Sequence, residues 1–146
     1  MRLLAGVELT SLGIIDTEKG AVLKGLSIDD RVYKGFGEAY FSICNYSSVK
    51  AWKTHKKMTS NLLVISGRVL FVIYDPRTDS PTYKIIDEVE LSRSNYKMLS
   101  IGPGLIYGFQ GLDKHCENII CNIADIKHDP NESINIDPKA INYNWR

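Results

Sequence analysis

Long apolar runs are missing from this 146-residue chain, and nothing in it approaches the roughly 20 residues that a membrane-spanning helix needs. No amphipathic helical pattern of about 10 residues or more is found either. An excess of charge of one sign is also lacking, since 18 Lys and Arg stand against 17 Asp and Glu. That balance leaves no electrostatic footprint for nucleic acid or for an anionic membrane, so an anion has to be held by a local cluster. Cysteine is scarce, and Cys44, Cys116 and Cys121 are an odd set without CxxC spacing, which argues against a disulfide framework and against a zinc site. The start of the sequence lacks the charged segment, apolar run and small-residue cleavage site of a secretory leader. The expectation is a soluble cytoplasmic protein with reduced thiols and no nucleic-acid or membrane partner.

What is present is a succession of short strands. At this length one domain, residues 1–146, is expected to bury on the order of 70% of the surface that the unfolded chain exposes. Val7 to Ile15 reads as a first strand, closed by turn chemistry at Asp16-Thr17-Glu18-Lys19-Gly20. Ala21 to Ile28 fits a strand or a short helix, and Gly37 to Cys44 is rich in aromatic residues, as strands are. Leu62 to Ile65 and Arg68 to Tyr74 are separated by Ser66-Gly67, a spacing that suits a tight hairpin. Val69-Leu70-Phe71-Val72-Ile73 is apolar on both faces, so this strand has to be covered on each side. Two prolines keep Asp75 to Thr82 out of a sheet interior. Tyr83 to Leu91, Lys97 to Ile101, Ile106 to Gln110 and Glu117 to Ile123 complete the set. The pattern is all-β and predicts an antiparallel sandwich or jelly roll. From about Asp129 the composition turns to Asp, Asn and Pro with isolated anchors such as Ile141, Tyr143 and Trp145, which predicts an irregular but docked tail.

The chemistry concentrates at Val49-Lys50-Ala51-Trp52-Lys53-Thr54-His55. In an extended chain Val49, Ala51, Lys53 and His55 share one face, and Lys50, Trp52 and Thr54 share the other. A cation and an imidazole beside apolar neighbours suit a pocket wall. Lys50, Lys53, Lys56 and Lys57 form the densest basic cluster and suit a diphosphate. Trp52 and Tyr40 are candidates for stacking on a nucleobase. A cupin-type jelly roll places metal ligands where this chain has Lys53, His55, Ser60 and Tyr107. A charged ammonium offers a metal no lone pair, so neither metal nor other cofactor is expected.

Ordered segments then carry a resemblance over about Ser11 to Trp145. They are Asp16-Thr17-Glu18-Lys19-Gly20, Phe36-Gly37-Glu38-Ala39-Tyr40-Phe41-Ser42, Val49 to His55 and Gly67-Arg68-Val69. Asp75-Pro76-Arg77-Thr78-Asp79-Ser80-Pro81-Thr82, Ile101-Gly102-Pro103-Gly104-Leu105-Ile106-Tyr107-Gly108-Phe109 and Asp129-Pro130 follow. The chain resembles the dTDP-4-dehydrorhamnose 3,5-epimerase family, metal-free cupins that act on nucleotide-linked 4-keto sugars. The resemblance implies removal of a proton beside the C4 ketone and its return to the opposite face of the sugar, which needs a base, a cation at the ketone oxygen and an acid. Matched by segment, the family Arg falls on Lys50, its His on Lys53, its Lys on Ser60 or Asn61, and its Tyr on Ile120 or Asn122. Asp137 takes the place of the Asp that orients the base.

The residues themselves suggest His55 as base, Lys53 as the stabiliser of the enolate and Tyr107 as acid, while Asp137 behind the base is what the resemblance implies. Lys50, Trp52, Asn61, Asn122 and Tyr40 are the expected substrate contacts. The expected partner is a nucleotide-diphosphate sugar, and a homodimer is expected because an exposed amino-terminal strand would otherwise be an open edge. The expected activity is epimerisation or isomerisation at the carbon next to the ketone of a nucleotide-linked 4-keto-6-deoxy sugar, in deoxysugar or surface-polysaccharide synthesis. The alternatives are a 3,4-ketoisomerase in the same barrel and a cupin that binds such sugars without turning them over.

Overall fold

The computed structural model describes residues 3–146, and among these every regular element is a strand. In chain order they are β1 (Val7–Ser11), β2 (Ile14–Thr17), β3 (Gly20–Leu23), β4 (Glu38–Cys44), β5 (Val49–His55) and β6 (Ser60–Ser66). There follow β7 (Arg68–Tyr74), β8 (Ile86–Ser92), β9 (Lys97–Ile101), β10 (Ile106–Gly111), β11 (Asn118–Ala124) and β12 (Ser133–Asn135). A first sheet runs β1-β9-β6-β11-β4 and a second runs β12-β5-β10-β7-β8, while β2 and β3 form a hairpin apart from both. Neighbouring strands within each sheet pair antiparallel. The two sheets face each other as a cupin-type jelly roll.

The doubly apolar β7 explains the layering. Val69, Phe71 and Ile73 point into the core between the sheets, where they meet Leu62, Val64, Leu99 and Ile120. Leu70 and Val72 point outward and are covered by Trp52 and by Ile136, Ile141, Tyr143 and Trp145 of the carboxy-terminal tail. The tail therefore docks as its apolar anchors require, and it also supplies β12 as an edge strand on β5. A third cluster, with Leu63, Met98 and Cys121 at its centre, covers the outer face of the first sheet beneath the β2–β3 hairpin.

The Ser66-Gly67 step departs from expectation. It does not close a hairpin, because β6 lies in the first sheet and β7 in the second. The chain instead turns a corner between sheets, with Gly67 at φ +76°, and a Cβ there would fall 2.4 Å from Asn118 Oδ1. That oxygen accepts from the Arg68 N–H at 2.9 Å, which fixes the corner. Both strands carry inward apolar side chains, and a corner lets each sheet contribute one of them to the shared core.

Candidate active site

A cavity of about 640 Å³ lies between the sheets and opens beside the tail, within the usual range for a small-molecule site. One wall carries Lys50, Lys53, Tyr107 and Phe109 from β5 and β10, and the other carries Tyr40, Ser42, Leu62, Ile120 and Asn122 from β4, β6 and β11. Asn135, Ile136, Asp137 and Pro138 of the tail form part of the rim.

Strand register places the cations. Tyr107 pairs with Lys53, but Phe109 pairs with Lys50, so the single Gly108 of β10 stands against Ala51 and Trp52 of β5. A bulge of this kind adds a residue to one strand and changes which side chains share a face. It brings Lys50 round to the cavity, whereas simple alternation puts it on the far face. Gly108 makes room for the bulge, since a Cβ there would lie 2.7 Å from the Ala51 Cβ. Lys50 Nζ donates to the Ile43 carbonyl at 2.8 Å. Among the described residues no carboxylate pairs with Lys53. Lys56 and Lys57 are exposed and take no part in the cavity wall.

His55 lies on the same face as Lys53, and its ring stacks on that of Tyr107 with centroids 6.4 Å apart and planes inclined by 29°. The imidazole is 5% exposed, and its Nδ1 bonds Glu132 Oε1. The other Glu132 oxygen accepts from the N–H groups of Lys57 at 3.1 Å and Met58 at 3.2 Å. Burial pushes the Glu132 carboxyl up, but His55 and these two amides outweigh it and hold the group below its ordinary value. A carboxylate at Nδ1 fixes the tautomer with its proton there and leaves the lone pair on Nε2. That Nε2 is buried without a hydrogen-bond partner among the described residues. A buried nitrogen with no protein partner is one that a bound molecule can satisfy.

Asp137 is not the group behind His55. It is exposed and caps its own turn, accepting from the Lys139 N–H at 2.8 Å. Glu132 holds that position because the tail pairs Ser133 with His55, which sets residue 132 at the end of the imidazole strand. The composition of the tail does mark Asp129 to Glu132 as acidic, but only the β12 register selects Glu132.

The remaining expected contacts divide. Asn122 faces the cavity, and its Nδ2 donates to the Tyr40 hydroxyl at 2.8 Å and lies 3.4 Å from Ser60 Oγ. Asn61 faces the other way, because Ser60, Leu62 and Val64 take the inward positions of β6. Its side chain is held by the Ile123 carbonyl at 2.9 Å and the Ser100 hydroxyl at 2.6 Å. Trp52 is 2% exposed and packed under the tail, with Trp145 at 5.3 Å and its Nε1 donating to the Pro138 carbonyl at 3.1 Å. It borders the cavity, but its burial under the tail leaves little ring surface to stack on a base. Tyr107 is buried, its hydroxyl lies 3.4 Å from Ser60 Oγ, and burial pushes its pKa up to about 12.

A family model described as dTDP-4-dehydrorhamnose 3,5-epimerase matches residues 45–146, which include both cavity walls apart from β4. The chain belongs to the dTDP-4-dehydrorhamnose 3,5-epimerase family. Among solved structures of similar proteins is a dTDP sugar isomerase from Desulfovibrio desulfuricans G20, 37% identical, with a TM-score of 0.90 over 94% of this chain and 87% of that one. Two similar proteins match over nearly the full length on both sides. The Bacillus subtilis spore coat polysaccharide biosynthesis protein SpsL is 25% identical over 96% of this chain and 95% of its own. The Haloferax volcanii probable low-salt glycan biosynthesis epimerase Agl13 is 26% identical over 95% and 92%.

Proposed function

We propose that this protein is an epimerase that inverts a carbon next to the C4 ketone of a nucleotide-linked 4-keto-6-deoxy sugar, in the synthesis of a surface polysaccharide or glycan. The single observation that carries the reading is the His55–Glu132 pair, which fixes one imidazole nitrogen and leaves the other without a partner among the described residues, on a ring that does not itself line the cavity but stacks on Tyr107, which does. Family membership, the polysaccharide and glycan roles named for SpsL and Agl13, and the likeness to a dTDP sugar isomerase support the substrate class.

His55 Nε2 takes the proton beside the ketone, and the electron pair left behind delocalises on to the C4 oxygen. Glu132 stabilises the imidazolium that forms. Lys53 stands on the same wall without a carboxylate partner among the described residues, and it opposes the negative charge of the enolate. Lys50, on the same wall, supplies a cation for the diphosphate. Tyr107 completes the floor, and its phenol stays protonated at neutral pH.

The chain works as a homodimer in the cytoplasm. Phe41 and Ile43 lie 64% and 47% exposed on the outer side of the edge strand β4, an apolar patch that suits a second copy. The unpaired thiols of Cys44, Cys116 and Cys121 suit a reducing compartment.

The test is a dTDP-4-keto-6-deoxy sugar incubated with the protein in deuterated water and followed by NMR. Deuterium at a carbon flanking the ketone, with inversion there, is the expected result. A ketone that migrates would make the protein a ketoisomerase. Tight binding with no exchange would make it a sugar-nucleotide binding protein and would contradict the epimerase reading.

A further inference from the structure

Inversion requires that the proton return to the face of the sugar opposite the one it left, so the acid has to stand across the cavity from the base. His55, Lys53 and Tyr107 all belong to the second sheet, and the Tyr107 ring lies against the His55 ring. Tyr107 is thus on the base's own side, and its hydroxyl is turned toward Ser60. The facing wall presents Tyr40, Ser42, Leu62, Ile120 and Asn122. Of these five only Tyr40 carries a proton acidic enough to be given up to an enolate.

Tyr40 is also held for the task. It stands directly opposite Asn122 in the β4–β11 register, and the Asn122 amide donates to its hydroxyl oxygen at 2.8 Å. With the oxygen already accepting, the phenolic O–H is left free to point into the cavity. Burial pushes its pKa up while the Asn122 bond pulls the other way, and the carboxylates of Glu38 and Glu132 add to the rise. The net shift is upward, so the group is a protonated phenol throughout the neutral range.

We propose that Tyr40, on the wall facing His55, is the acid that returns the proton and so sets the inverted configuration. The inference rests on the epimerase reading above. In the forward direction the C–H bond breaks and its proton goes to His55 Nε2, leaving the enolate. The enolate carbon then forms a new C–H bond with the Tyr40 proton, and the electron pair of the O–H bond stays on Tyr40 as phenolate. Water entering the cavity carries the proton from His55 and restores that of Tyr40.

The experiment compares wild type, Tyr40→Phe and His55→Gln in deuterated water, reading deuterium wash-in and inversion separately by NMR. Tyr40→Phe is expected to slow inversion at least 100-fold while wash-in without inversion, taken and returned by His55, stays within a few-fold of wild type. His55→Gln is expected to lose both. Inversion by Tyr40→Phe at near the wild-type rate overturns the assignment, and so does loss of wash-in together with inversion. If wild type gives no wash-in at all, the epimerase reading falls and this inference with it. As a variant that leaves the fold undisturbed, 3-fluorotyrosine at position 40 is expected to move the basic limb of the inversion profile to lower pH, and an unmoved limb overturns the role.

Discussion

Glu132 joins stability to chemistry in one residue. It is 4% exposed, and it stays charged there because the imidazole and two backbone amides answer the cost of burial. Its carboxyl is held below the ordinary value of 4.5, so the stabilisation it gives is present above about pH 4.5 and is lost as the pH falls below that value. Replacing it by Gln keeps the size and an acceptor for Nδ1 but removes the charge that supports an imidazolium. Glu132→Gln is expected to lower kcat by roughly 10²–10⁴-fold, to leave KM within a few-fold because the side chain does not line the cavity, and to flatten the loss of thermal stability below pH 4.5. Steady-state kinetics and melting curves over pH check both halves; an unchanged kcat would remove Glu132 from the mechanism. The sharing of a face by Lys53 and His55 was legible in the sequence, because a period of two is all that it needs. The carboxylate behind His55 was not, because Glu132 and Asp137 both fit until the tail's register against β5 is known.

Among the elements, the loop between β7 and β8 shows how a polar cluster anchors a turn that prolines exclude from the sheet. Asp75 is fully buried and accepts from Arg77 Nε at 2.9 Å, the Arg77 N–H at 3.0 Å and the Thr82 hydroxyl at 2.6 Å, with Ser80 bonding it as well. Burial pushes the carboxyl up, but Arg77 and the two hydroxyls prevail and hold it far below the usual carboxylate range. The Arg77 guanidinium also reaches the Ala5 carbonyl, and Thr82 accepts from the Ala5 N–H at 3.1 Å, so the loop ties down the segment entering β1. Asp75→Ala leaves a half-buried guanidinium without its partner. It is expected to cost about 3–5 kcal/mol in chemical denaturation, and a loss below about 1 kcal/mol would mean that the cluster is ornamental. The order and type of most strands could be read from alternation and turn residues, and β9 even in its bounds, Lys97 to Ile101. Two things could not. The Ser66-Gly67 corner has the spacing of a hairpin, and only the position of Asn118 beside Gly67 distinguishes them. The bulge that turns Lys50 toward the cavity needs β10, whose Gly108 lies about 55 residues further along the chain, and strand parity within β5 alone gives the wrong face.

The whole molecule is a cavity with two unlike walls. The second sheet brings the lysines and, behind Tyr107, the imidazole, and the first brings a phenol and an amide among apolar side chains. This division suits a reaction that takes a proton on one side of a ring and returns it on the other. The outer surface has its own asymmetry, since Phe41 and Ile43 are exposed on β4 while the outer face of β7 is sealed by the tail. Light scattering coupled to gel filtration is expected to give twice the chain mass for wild type and the chain mass for the Phe41→Glu, Ile43→Glu double variant. A monomeric wild type would contradict the dimer. The proposed chemistry depends on His55 as the group that removes a proton next to a ketone. Its most direct test is the NMR record of a dTDP-4-keto-6-deoxy sugar in deuterated water with wild type and with His55→Gln. The predicted result is deuterium and inversion at the flanking carbon for wild type and neither for the variant; wash-in that survives loss of the imidazole would contradict it.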